Sequence, residues 1–117
     1  MAVELRGFTI SLKANEAIDQ YLITKVDKDF GCSKATADDT VAGIIQNDPK
    51  EGQAGAIMVS GISKVKVAEA LKAGDLVAAN ANGEAVKATG KYFGIALADA
   101  SAGAIGSVLI GFHNGTV

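Results

Sequence analysis

Five residues of this 117-residue chain return in the same order and frame. Gly43, Ile44, Asp48, Gly52 and Gly55 recur as Gly94, Ile95, Asp99, Gly103 and Gly106, each 51 residues later. The apolar run Ile57-Met58-Val59 comes back in that frame as Val108-Leu109-Ile110, and Lys34-Ala35-Thr36 is echoed by Lys87-Ala88-Thr89 after a two-residue slip. A fixed period of this kind marks one supersecondary unit written twice, and a unit so small cannot bury its apolar face alone. Two similar β-units, at about 31–61 and 84–112, are therefore expected to close over a shared apolar interior. The glycines fall at matching turn positions, which chance in a Gly/Ala-rich sequence does not require.

Alternation gives the type of element. Phe8, Ile10 and Leu12 point one way along an extended segment, with Thr9, Ser11 and Lys13 opposite. Val3 and Leu5 alternate in the other phase, and the switch at Arg6-Gly7 is what a kink or bulge produces. Residues 1–14 are thus expected to be an extended N-terminal arm or edge strand, and 15–117 a single β domain. Further strands are expected at 20–27, 41–47, 54–60, 62–67, 75–79, 84–87, 92–98 and 105–112. Asn82-Gly83 reads as a two-residue hairpin turn with both φ angles positive. Asp48-Pro49 and Asn114-Gly115 read as further turns. Only Val67 to Ala73 has the pattern of a helix, barely two turns long before Gly74. Fourteen Gly and one Pro among short apolar runs favour an all-β sandwich or barrel.

Composition excludes several function classes. Eleven basic and thirteen acidic residues leave a net charge of -2, and Arg6 is the one arginine, so the clustered cations that grip phosphate backbones are missing. Lys64 and Lys66 alternate along a strand, the pattern of a solvated face. No apolar run approaches the ~20 residues of a membrane-spanning helix. The N-terminus lacks a basic stretch followed by an apolar core and cleavage site, so no export signal is expected.

Little in the chain points to chemistry. Cys32 and His113 are the sole residues of their types, too few for a zinc site and with no local context for a nucleophile and base. Asp27, Asp29, Asp38 and Asp39 lack the register, central Gly and closing Glu of a calcium loop. Gly52, Gly55 and Gly61 lack the spacing and following helix of a phosphate loop. No catalytic, metal or cofactor residue is therefore assigned, and the chain is expected not to be an enzyme. One chemical alternative remains: Val67 to Val77 resembles a half-motif of biotinyl and lipoyl carrier domains, which would make Lys72 an attachment site.

From residue 39 onward the order of three blocks is similar to another family. Val41-Ala-Gly-Ile-Ile-Gln-Asn-Asp-Pro-Lys-Glu-Gly-Gln-Ala runs into Ile57-Met-Val-Ser-Gly-Ile-Ser-Lys-Val. Ala73-Gly-Asp-Leu-Val-Ala-Ala-Asn-Ala-Asn-Gly follows, and Gly94-Ile-Ala-Leu-Ala-Asp-Ala-Ser-Ala-Gly closes the series. The sequence resembles the small cement, or decoration, proteins of tailed-phage heads. That resemblance implies a structural protein of the virion exterior, made in the host cytoplasm. It further implies the major capsid protein as partner, self-association as a homotrimer, and no cofactor. In that setting the N-terminal segment is expected to dock by strand addition, with Leu5, Phe8, Ile10 and Leu12 as the capsid-binding residues.

Overall fold

Short apolar runs punctuated by Gly, Asp and Asn become strands along the whole chain. The computed structural model describes residues 5–37 and 39–117, the side chains of residues 5, 6, 112 and 113 excepted. In chain order the strands are β1 (Leu5–Arg6), β2 (Thr9–Ala14), β3 (Ile23–Asp27), β4 (Gly31–Lys34), β5 (Val41–Ile45), β6 (Ala54–Met58), β7 (Gly61–Lys66), β8 (Leu76–Ala79), β9 (Ala85–Lys87), β10 (Lys91–Ala96) and β11 (Ile105–Thr116). There is no helix among the described residues. The fold is all-β, as expected.

Strands β2-β4-β3-β5-β6 close into a barrel, and β9-β8-β10-β11-β7-β1 form a second sheet. Leaving β1 aside, the two orders are the same with every strand number raised by five. Their registers agree as well. Ile44↔Met58 and Ile45↔Ile57 join β5 to β6, while Ile95↔Leu109 and Ala96↔Val108 join β10 to β11, each residue 51 positions later. The barrel is closed by a parallel pairing of β2 with β4 that includes Ala14↔Cys32. Its counterpart 53 positions later is the single parallel bridge Val67↔Ala85. Even the turns correspond: the Gly52 N–H donates to Ala14 O and the Gly103 N–H to Val67 O, both at 2.8 Å, with φ of 89° and 84°.

Successive residues on β5 and β6, and at the entry to β3, serve two different cores. Leu22, Ile45 and Ile57 point into the barrel with Ala14, Ile18 and Cys32. Their chain neighbours Ile23, Ile44 and Met58 point outward onto Val65, Val77, Phe93, Val108 and Ile110 of the second sheet. Strands buried on both faces read as unbroken apolar pairs rather than as alternation. Each such side chain contributes roughly 1.5–3 kcal/mol by leaving water.

The structure differs from the sequence reading at five places. Residues 31–34 form β4, a strand absent from those expected. Residues 67–73 are not helical, because Val67 is bridged to Ala85 and Leu71 to Ala100. At Asn82-Gly83 only Gly83 has positive φ; the Gly83 N–H donates to Asn80 O at 3.2 Å, so the loop turns one residue earlier. Asn80 Oδ1 organises that loop by accepting from the N–H groups of Asn82 and Glu84. Asn114-Gly115 is not a turn but lies inside β11, paired with β10 through Tyr92↔Gly115. Finally, Thr9–Ala14 is bonded to β6 from Thr9↔Met58 to Lys13↔Ala54, so over these residues the expected arm is a wall of the barrel. Val3 lies outside the described residues.

Candidate docking surfaces

Strand β2 has an uncovered edge. Its parallel neighbour β4 meets it only at Lys13 and Ala14. The N–H groups of Phe8 and Ala14 both donate toward the β6 side, to Ser60 O and Gln53 O, whereas that of Lys13 donates to Phe30 O. Strand alternation therefore directs the backbone groups of Thr9 and Ser11 to the side that no strand covers among the described residues. Beside this edge Phe8 is 65% exposed and Ile10 is exposed as well. Leu12 is half-buried and packs on the barrel core. Leu5 sits in β1 opposite Ile62.

The hairpin from β3 to β4 carries a feature with no signal in the apolar periodicity. Phe30 is 89% exposed at its tip. Asp29 and Phe30 have φ of 60° and 56°, and the Gly31 N–H closes the turn onto Lys28 O at 3.0 Å. Two consecutive positive φ angles are the geometry that Asn-Gly satisfies best. A bulky L-residue held there costs on the order of 1–2 kcal/mol. The turn is fixed from several directions. Lys28 N–H donates to Asp27 Oδ1 at 2.9 Å, Asn15 Nδ2 donates to Lys28 O at 3.1 Å, and Lys13 N–H donates to Phe30 O at 3.2 Å. These bonds also act on Asp27, whose carboxyl is held below its ordinary pKa by the Lys28 amide first and by Asn15 next. Val26, on β3 and 64% exposed, adds a second apolar side chain near this end of the barrel. The one trace of this site in the sequence is an aromatic where turn chemistry asks for Gly or Asn.

A third apolar region lies on the solvent face of the second sheet. Cross-strand register aligns Ile62, Leu109, Ile95 and Leu76 in one row over four adjacent strands. Ile95 and Leu109 are 39% and 41% exposed, and Leu97 and Ile105 are exposed next to them. Lys64 and Lys66, on neighbouring positions of β7, have partners of their own: Lys64 lies 6.0 Å from the Tyr21 ring centroid, and Lys66 is 3.9 Å from Asp19. Where the β10–β11 register shifts between Tyr92 and Gly94, the sheet opens into a groove of about 380 Å³, lined by Tyr92, Gly94, Ile95, Leu109 and Gly111 among others.

The residues considered for chemistry are scattered. Cys32 is fully buried in the barrel, and burial first, then Asp27 and Glu16, raise its thiol pKa. Asp39 accepts from the Thr36 N–H and hydroxyl at 2.7 Å each, which lowers its pKa. Asp38 and the His113 side chain lie outside what is described. Lys72 is exposed in the connection between β7 and β8, two strands that do not pair, so it does not occupy the hairpin tip of a carrier domain. Gly52, Gly61, Gly74, Gly83 and Gly103 take positive φ, the angle that turn glycines serve.

Residues 5–111 match the family model of the phage cement proteins. The chain belongs to that family. It is a structural protein associated with the phage head, in agreement with the resemblance of its three blocks. The solved structure of the head fiber gp8.5 N base in bacteriophage phi29 has a similar fold. The two align with a TM-score of 0.71 over 91% of this chain and 95% of that one, at 18% identity. No curated protein matches the cement protein in sequence.

Proposed function

We propose that this cement protein binds the outside of an assembled phage head and stiffens it, acting as a non-enzymatic component of the virion. Its partner is the major capsid protein. The observation that carries this reading is the open edge of β2 beside Phe8 and Ile10. An edge strand with unpaired backbone groups accepts an extended segment of a partner, while flanking apolar side chains supply the burial. Phe8 and Ile10 are the contacting side chains, Leu5 of β1 is a further contact residue, and Leu12 serves from beneath by holding β2 on the barrel core. Self-association, as a homotrimer, multiplies the grip, because each further contact of a tethered oligomer is effectively intramolecular.

Because β2 closes the barrel, deleting residues 2–12 would destroy the fold and test nothing. Ser11→Pro is the better probe. It removes an N–H that faces the open side, leaving the ladder to β6 intact, and it blocks strand addition. Co-sedimentation with expanded shells stripped of cement protein should fall at least about tenfold in affinity, a loss of one ordinary backbone contact or more. A folded Ser11→Pro protein that binds shells as the wild type does would refute the edge as the docking site.

A further inference from the structure

We propose that copies of this protein join head to tail, the Phe30 hairpin of one copy seating in the β10–β11 groove of the next. The inference deepens the self-association in the function proposed above and names both halves of the joint. Three observations carry it.

The first is the knob. Phe30 is exposed on a hairpin whose backbone favours a smaller residue, and Lys13, Asn15 and Asp27 fix that hairpin. A strained conformation maintained by surrounding bonds is a mark of functional sites. A rigid, exposed aromatic is the residue type that most often dominates binding energy once it enters a pocket.

The second is the hole. The groove beside Ile95 and Leu109 is apolar, of about 380 Å³, and ends at Gly111, where an added Cβ would meet no atom within 4 Å. That volume lies within the range of about 300–1,000 Å³ typical of small-ligand pockets, and it leaves room for an aromatic ring together with the hairpin backbone that carries it.

The third is the correspondence between the two units. In the first unit the pair Ile44 and Met58 is fully buried, because the second unit covers it. The corresponding pair in the second unit, Ile95 and Leu109, is equally apolar, yet no other part of the described chain covers it. A cover from outside the chain completes the pattern, and a second copy brings an apolar knob to supply it. Knob and hole lie on different surfaces of the same molecule, so the contact is heterologous, and it forms a ring when the rotation between copies closes.

The test uses two variants that each remove one half of the joint. Phe30→Asn takes away the ring and suits the positive φ, so it keeps the fold. Gly111→Leu fills the groove where there is space for a side chain. Sedimentation equilibrium of the purified protein, without shells, should find the wild type associated. Each variant alone should be monomeric, with an association constant at least about 30-fold weaker, the loss expected of a hot-spot residue. An equimolar mixture should form 1:1 pairs and nothing larger, because one knob and one matching hole remain between the two variants. A wild type that is monomeric, a Phe30→Asn protein that still assembles, or a mixture that stays monomeric while both variants are folded overturns the proposal. Shell binding is measured separately by co-sedimentation, so failure of the joint and failure of the capsid reading are distinguishable.

Discussion

The side-chain amide of Asn114 bonds both backbone groups of Val41: the Val41 N–H donates to Oδ1 at 3.0 Å, and Nδ2 donates to Val41 O at 3.1 Å. The pair spans 73 residues and ties the start of β5 in the barrel to β11 in the second sheet. A primary amide here does what a strand neighbour would do, offering one acceptor and one donor to a backbone that β3 engages on its other side.

Asn114→Ala should destabilise the protein by about 1–3 kcal/mol, the cost of leaving a half-buried backbone donor and acceptor unmatched. The urea midpoint should fall with an unchanged slope. Asn114→Asp keeps an acceptor but loses the donor, and should fall between Asn114→Ala and the wild type near neutral pH. Equal stability of all three proteins would show that the bonds contribute nothing.

The hairpin strain gives a prediction of opposite sign. Replacing Asp29-Phe30 by Asn-Gly supplies the residues that two consecutive positive φ angles favour, and should stabilise the fold by about 1–2 kcal/mol. Thermal or urea unfolding reads the gain. With the wild type diluted until it is monomeric, so that loss of the Phe30 joint does not enter, a loss of stability would mean that the exposed Phe30 ring contributes to the monomer fold, contrary to its exposure.

These two sites also show what the sequence could and could not convey. Alternation at Phe8, Ile10 and Leu12, the short apolar runs between glycines and the 51-residue recurrence made an all-β fold with two similar units legible, whereas the two-sided burial of Ile44-Ile45 and Ile57-Met58 emerged only from the packing. Strand β4 was not legible. Gly-Cys-Ser-Lys has little β character, and it is a strand because β3 pairs along its whole length. Asn114 read as a turn residue since its partner is 73 positions away, and no local pattern records a contact of that range. Phe30 went unnoticed for the reverse reason: one exposed aromatic in a turn has no periodicity. Of the four residues expected to dock, Phe8 and Ile10 are exposed while Leu12 packs inward, a distinction that alternation could not draw because all three share one phase.

Stability should vary with pH at both ends, through Asp27 and Asp39 on the acid side and Cys32 on the alkaline side. Asp39 has a lowered pKa, so its bonds to Thr36 stabilise the fold above the ordinary value of 3.8 and are lost as pH falls through the lower folded value. Cys32 has a raised pKa, so the neutral buried thiol is compatible with the fold below the ordinary value of 9.0, and that contribution is lost as pH rises through the higher folded value. Asp39→Asn should flatten the acid limb of a plot of urea midpoint against pH, and Cys32→Ala the alkaline limb. The same burial predicts that a thiol reagent labels Cys32 only as fast as the barrel opens. Rapid labelling of the native protein at neutral pH would contradict the sealed interior.

Two corresponding glycines test whether the two units are equally constrained. A Cβ at Gly43 would collide with Met58 O, and one at Gly94 would lie 2.7 Å from Leu109 O, the corresponding atom 51 residues later. Both clashes are with strand backbone, which cannot step aside as a flexible side chain can. Strands β5 and β6 are each held by a second neighbour, and so are β10 and β11. Both glycines lie beside a register shift, Gly43 at that of β3–β5 and Gly94 at that of β10–β11, so the deeper overlap of a Cβ with backbone at Gly43 decides which loss is larger. Gly43→Ala should therefore cost more than about 3 kcal/mol, among the severe single substitutions, and Gly94→Ala about 1–3 kcal/mol. Paired urea titrations give both values. Equal losses would show that the second sheet is as rigid at its groove as the barrel is at its wall, leaving the groove unable to adapt its shape to an incoming ring.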